Sequence, residues 1–384
     1  MRGLRTKLLS AAVACGAIAL LLATVSVAAA TAPTQTVGAE ETLSGSKAGT
    51  GPGRLPKIDG VTVSDINDRG EVVGALRKEH DGASLGFAWL SGSLKLLGRG
   101  KSAGASLINE RGQILGRSGG HAVLWENGTV RTIGLESAWD LNEAGQVLGG
   151  PTSSGPPALS TNGTVQLLPF APGTFVAMNN LGQVVGQTTE GRAAEWQDGE
   201  LTDLGPGSPI AINDRGEITG YLARDTGVRA IVWQNGTAID IGPGVPTALN
   251  ERGQVIGLHP PFGPGESHAF LWSDGTMTDL GTLGGKSAIP RAISDRGQVV
   301  GYSTDKRGLQ HGFVWQNGTM TRLPSPKGYK GSQTQASAIN NHNQIVGDNC
   351  WDCFNRGGHP SRFAVLWTLR GHKIETRRLL DIRR

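Results

Sequence analysis

One short phrase recurs eight times in this chain, and it limits what the chain can fold into more than any other feature. An apolar residue is followed by Asn, two mostly polar residues and Gly, and then a strand-like apolar run. The copies begin Ile66-Asn67-Asp68-Arg69-Gly70, Ile108-Asn109-Glu110-Arg111-Gly112, Leu141-Asn142-Glu143-Ala144-Gly145 and Met178-Asn179-Asn180-Leu181-Gly182. They continue Ile212-Asn213-Asp214-Arg215-Gly216, Leu249-Asn250-Glu251-Arg252-Gly253, Ile293-Ser294-Asp295-Arg296-Gly297 and Ile339-Asn340-Asn341-His342-Asn343. The 273 residues from Asn67 to Asn340 hold seven intervals, a mean of 39 residues each. Asn can hydrogen-bond its own backbone and tolerates a left-handed conformation, and the Gly three residues later supplies a positive φ. Each phrase therefore reads as a hairpin turn.

A second hairpin follows each first one. Residues 268–280, His-Ala-Phe-Leu-Trp-Ser-Asp-Gly-Thr-Met-Thr-Asp-Leu, are the clearest case. Ala269 to Trp272 is a short apolar strand, Asp274-Gly275 is a type I′ turn dipeptide, and Thr276 to Leu280 alternates as the return strand. The strand carries Trp89, Trp125, Trp196, Trp233, Trp272, Trp315 and Trp367 in seven copies. In the third copy the same place is read as Leu159, after Pro156-Pro157, and that unit is expected to be the weakest. Four short strands per repeat of this length are the signature of a propeller blade. The expected fold is all-β, a β-propeller of about eight four-stranded blades, or seven if the third copy is degenerate. The 59 glycines and the low aromatic content of 5% fit many tight turns.

Small residues stand two places before the Asn (Ala177, Ala211, Ala248, Ala292, Ala338) and three before the Trp (Gly86, Ala122, Ala193, Ala230, Ala269, Gly312, Ala364). They suit crowded sheet-to-sheet or channel-lining positions beside a large ring. The tryptophans are expected to fill the spaces between blades, so that Trp→Ala costs roughly 3–5 kcal/mol. Two strand orders remain open. A blade contains either one Asn hairpin and the Trp hairpin after it, or a Trp hairpin and the next Asn hairpin, with the chain ends sharing a blade. The link between hairpins is short in copy two (117–120) and long in copies one (75–85), six (258–267) and eight (348–361). These links fall on one face, where binding surface is usually built.

The His268-Ala269-Phe270 triplet, the Trp followed by Asn-Gly or Asp-Gly, and the tail Leu280-Gly281-Thr282-Leu283-Gly284-Gly285 resemble the HAF-type extracellular repeat proteins of bacteria. The resemblance spans 61–380. His268 and His311 fit the motif, whereas Leu85, Arg192, Arg229 and Phe363 depart from it. It implies export and a propeller-like repeat fold, and it brings no activity.

Residues 1–30 read as a signal peptide: Arg2, Arg5 and Lys7, an apolar run over 8–27, and Ala28-Ala29-Ala30 at the end. Residues 31–56 are rich in Thr, Gly, Ser, Ala and Pro and read as a flexible spacer. The repeat domain is 57–384. Removing the signal removes three basic residues and no acid, so the formal charge falls from +4 to +1. A near-neutral chain without a basic stripe is no nucleic-acid binder. No stable membrane insertion after cleavage is expected, and the chain reads as a monomer.

Two carboxylates break the repeat. Asp65 and Asp140 stand where other copies have Ala, and on an innermost strand they would approach a central channel. A carboxylate pair can hydrolyse glycosides, so these are the candidate catalytic residues. His121, His268 and His311 occupy equivalent positions in copies two, six and seven. Repetition spreads them around a ring, so no metal site and no cofactor is expected from them. Cys350 and Cys353 remain once Cys15 leaves with the signal, and an exported chain would join them as a disulfide. The Asn-Gly-Thr sites at Asn127, Asn162, Asn235 and Asn317 are explained by turn chemistry. No nucleophile elbow, phosphate loop or dinucleotide fingerprint is present. The expectation is a secreted, non-enzymatic module that binds an extracellular ligand or a cell-surface component. The rival is a hydrolase or lyase acting on extracellular polysaccharide through Asp65 and Asp140.

Overall fold

The computed structural model describes residues 57–381 apart from 80–81, 99–102, 153, 226, 264–265, 328–332, 351–362 and 372. Both the signal peptide and the spacer lie outside the described residues. Among the described residues there are thirty-two strands and no helix. Consecutive groups of four form antiparallel meanders, giving eight blades over 58–97, 104–132, 137–167, 176–206, 208–243, 245–279, 284–322 and 333–381. Each blade is one Asn hairpin and the Trp hairpin that follows it. The strands are called A to D from the centre outward. Strands A of neighbouring blades touch all the way round, including blade 8 against blade 1. The fold is a closed β-propeller whose first and last described strands belong to separate blades.

Turn chemistry sets the hairpins. The A–B turn of blade 1 closes with the Gly70 N–H donating to the Asn67 carbonyl at 2.9 Å, and Gly70 has φ +75. In blade 8 Asn343 takes the glycine's place with φ 63. Ser91, Asn127, Asn162, Asp198, Asn235, Asp274 and Asn317 all have φ of 49–51 and precede a positive-φ Gly. Seven C–D turns therefore have the two left-handed residues that type I′ requires.

The core is not central. It is divided into eight apolar clusters, each spanning two neighbouring blades. Each of the seven strand C tryptophans faces the preceding blade. Trp233 packs on Ala177, Val185 and Ala193 of blade 4, and Trp367 packs on Val314 and Leu323 of blade 7. Trp89 belongs to the seam, where Val61 and Phe87 of blade 1 meet Ala338, Val346 and Ala364 of blade 8. Trp125, Trp196 and Trp315 are buried, whereas Trp89 and Trp272 are half-buried.

Blade 3 corrects the reading of the repeat. The residue paired with the first residue of strand B is Trp233 opposite Ile218 in blade 5, and Ser160 opposite Val147 in blade 3. Ser160, not Leu159, holds the tryptophan position. The Trp233 Nε1–H donates to the Leu204 carbonyl of the preceding blade at 2.9 Å, and the Ser160 hydroxyl donates to the Ile133 carbonyl at 2.7 Å. The polar contact survives although the ring does not.

Strand B carries Gly in all eight blades, at its third position in seven and its fourth in blade 8, and none of these glycines needs a positive φ. They allow close approach. In seven blades strand A has a bulge three residues before the Asn position. The bulge pushes a carbonyl toward strand B. A Cβ on Gly116, Gly301 or Gly347 would lie 2.0 Å from that oxygen. Blade 4 lacks the bulge, and there the atoms nearest a Cβ on Gly186 belong to side chains, those of Val176 and Phe170.

The long link of copy six is not an open loop. Strands Val255–Gly263 and Glu266–Ser273 extend into it as a lengthened hairpin. A single parallel bridge, Ser267 to Ser287, ties that hairpin to blade 7.

Candidate functional site

At the end of the ring that carries the A–B turns, two hydrogen-bond relays run from blade to blade. Each Asn first completes its own turn: Asn109 Oδ1 accepts from the Gln113 N–H at 2.9 Å, and its Nδ2 donates to Gln113 Oε1 at 2.7 Å. The same Nδ2 donates to the Asn142 carbonyl of the next blade at 3.0 Å. This step repeats around the ring and crosses the seam from Asn340 to the Asn67 carbonyl at 2.9 Å. It fails at Ser294, whose hydroxyl pairs with Gln298 instead. The second relay runs through the residue after the Asn. Its N–H donates to the side chain at the same place in the next blade, as Asp68 does to Glu110 at 3.0 Å. All eight links are present, ending with Asn341 to Asp68 at 2.8 Å. The Glu or Gln four residues after each Asn belongs to the first relay. Its presence in every copy was the signal for it, and the repeat reading above passed over it.

Asp65 and Asp140 lie at blade interfaces, not in the channel. Asp65 accepts from its own neighbour Ile66 at 2.8 Å and from the Ile108 N–H of blade 2 at 3.0 Å. Asp140 does the same with Leu141 at 2.9 Å and with Met178 of blade 4 at 3.2 Å. The two occupy different interfaces, 1/2 and 3/4, and the structure does not bring them together. A third carboxylate, buried Asp348, accepts from the Val63 N–H across the seam at 3.3 Å. All three fasten a strand A to its neighbour.

The bulge residues lie on strand A, the innermost strand. They are Ser64, Ser106, Trp139, Ile210, Thr247, Arg291 and Ser337; Ile210 is buried, whereas Trp139 is a large aromatic at 42% exposure. The Arg291 guanidinium stacks over Tyr302 at 5.1 Å from the ring centre.

The sequence-derived histidines go to three different environments. His121 is exposed. His311 is buried, with Nε2 2.9 Å from Asp305 Oδ2 and Nδ1 lacking a partner. Burial pushes its pKa down; the bond to Asp305 opposes this without cancelling it. His268 belongs to a cluster that sequence reasoning missed, because its members come from three strands. His259 is its register partner on strand B, and Asp279 lies on strand D. His268 Nδ1 is 2.9 Å and His259 Nε2 3.7 Å from Asp279 Oδ2, and the two rings meet edge to face at 6.0 Å. Burial works to raise the Asp279 pKa, but the Gly281 amide and the two histidines together hold it below the usual carboxylate range. Among the described residues this is the group of His, Cys, Asp and Glu able to hold a metal ion. Cys353 and the side chain of Cys350, the expected disulfide, lie outside the described residues.

No protein-family model matches the chain, and no curated protein does. Solved structures do. Porphyromonas gingivalis dipeptidyl peptidase 4 superposes with a TM-score of 0.52 at 9% identity, over 85% of this chain and 60% of that one. Pyrococcus horikoshii acylaminoacyl peptidase gives 0.46 at 15% identity, over 84% of this chain and 52% of that one. The Aleuria aurantia lectin gives 0.33 at 10% identity, over 71% of this chain and all of that one. The chain thus spans 52–60% of the length of the two peptidases it resembles. At these identities the likeness is one of fold: the chain is a β-propeller.

Proposed function

We propose that this protein is an exported, non-catalytic propeller that binds a cell-surface glycan in its axial channel, with Trp139 as the stacking platform. Export follows from the signal-like residues 1–30 and from the resemblance to HAF-type repeat proteins. The observation that carries the reading is the exposed indole of Trp139 on an innermost strand. Exposing a large aromatic costs hydrophobic stabilisation, so such a residue is a candidate for ligand contact. The apolar face of a sugar ring stacks on an indole, and the Ser106 bulge of the adjacent blade offers a hydroxyl as a hydrogen-bond partner. Asp65 and Asp140 already accept backbone N–H groups, which suits a fastening role better than proton transfer.

The test applies the purified mature protein to an array of bacterial and plant polysaccharides, and in parallel to generic glycoside and ester substrates. Binding without turnover, lost by at least tenfold in Trp139→Ala, is the expected result. Turnover that disappears in Asp65→Asn would overturn the reading in favour of a hydrolase or lyase.

A further inference from the structure

The cluster on blade 6 is best understood against its sister blades. In blades 4 and 5 the residue four before the strand C tryptophan and the fourth residue of strand D form an ion pair. Arg192 meets Asp203 at 2.5 Å, and Arg229 meets Asp240 at 2.8 Å. One oxygen of each aspartate also accepts a backbone N–H two residues on, from Gly205 and Gly242. Blade 6 keeps this framework: Asp279 Oδ1 accepts from the Gly281 N–H at 2.8 Å. It changes the other two positions. His268 stands where the arginine was. Opposite, blade 4 has Thr188, just past the end of strand B, and blade 5 has Leu222 on strand B, whereas blade 6 has His259 there. A fixed cation has been exchanged for two imidazoles aimed at the free carboxylate oxygen.

We infer that His259, His268 and Asp279 form a binding site for a divalent transition-metal ion, with zinc as the best fit. The donor set of two imidazoles and a carboxylate is one that zinc takes, at about 2.0–2.2 Å per bond, leaving a fourth position open. Tetrahedral geometry with such bonds needs donor atoms about 3.4 Å apart. The separations of 2.9 and 3.7 Å bracket that value, and all three donor atoms lie within 4.8 Å of one another. The ligands sit on paired strands, so small side-chain rotations suffice. The Gly281 amide holds the second carboxylate oxygen, which orients the ligating one as outer hydrogen bonds do in metal sites. The site opens at the end of blade 6 that carries the B–C hairpin, away from the axial relays.

The test is calorimetric titration of the purified mature chain with zinc chloride alone, with cobalt substitution read by visible absorption. Two variants copy the sister blades and so preserve an arrangement this fold already carries: His268→Arg restores the ion pair, and His259→Leu reproduces Leu222. His121→Ala controls for exposed imidazoles. The expected result is one equivalent bound with micromolar or tighter affinity. Each cluster variant should weaken it by more than the about 10–100-fold that outer-sphere changes cost, and His121→Ala should leave it unchanged. Zinc should also raise the melting temperature of the wild type and not of the cluster variants. Absence of binding below millimolar zinc would overturn the inference, and so would equal affinity in His259→Leu and His268→Arg.

Discussion

Asn213 makes four hydrogen bonds from one short side chain. Its Oδ1 accepts from the N–H groups of Arg215 and Glu217, and its Nδ2 donates to Glu217 Oε2 and to the Asn250 carbonyl. Its backbone N–H bonds to the Glu217 carbonyl, closing the turn beside them. An alanine there leaves buried groups unpaired, so Asn213→Ala is expected to cost about 1–3 kcal/mol in urea unfolding. Ser294 is the reverse case, a gap in the same relay. Ser294→Asn should stabilise by about 1 kcal/mol, and an unchanged midpoint would show that the relay carries no net stability. His311 sets a pH dependence. Its folded pKa lies below the ordinary value near 6.5, so the folded state binds fewer protons than the unfolded one. Stability is then complete above about pH 6.5 and falls as pH drops from there toward the folded pKa. Unfolding midpoints between pH 7.5 and 5 should show this loss in the wild type, and a shallower one in His311→Gln.

Hairpins were the most legible elements. Asp274-Gly275 and its counterparts name their own turn type, because few dipeptides accept two left-handed residues in succession. Less legible was anything set by a partner strand. Ser160 was passed over for Leu159 because composition favoured the larger residue, while the register is fixed by the spacing to Asn162-Gly163. The fastening role of Asp65 depends on the Ile108 N–H, 43 residues away. His259 joins His268 only because a lengthened hairpin pairs them. The strand B glycines were visible as a pattern, but their cause, a bulge carbonyl pressed against the Cα, belongs to the neighbouring strand. Here blade 4 supplies an internal control. Gly301→Ala must move backbone and should lower the melting temperature by several degrees. Gly186→Ala can be met by rotating Val176 and Phe170, so its effect should be smaller. Equal effects in the two variants would contradict the bulge explanation.

The eight units make a ring only because the last one meets the first. No strand is shared across that seam. It is held by apolar contacts among Val61, Phe87, Ala338 and Val346, and by hydrogen bonds from Val63 to Asp348, Asn340 to Asn67 and Asn341 to Asp68. Apolar clusters and the second relay join every other pair of blades as well, and the Asn relay joins all but blades 7 and 8, so closure needs no special device. The A–B end of the channel is spent on these relays. That leaves the axial row with Trp139 and the opposite end, with the blade 6 cluster, as the places where blades differ from one another.

Closure is therefore the claim on which the channel, the relays and the seam all rest. Spin labels at Arg69→Cys and His342→Cys, with Cys350 and Cys353 replaced by serine, measure it across the seam. A closed ring puts these two adjacent turns within about 20 Å of each other, given sheets that pack about 10 Å apart. An open stack of eight such sheets would separate them by about 70 Å, and a distance in that range would contradict the account.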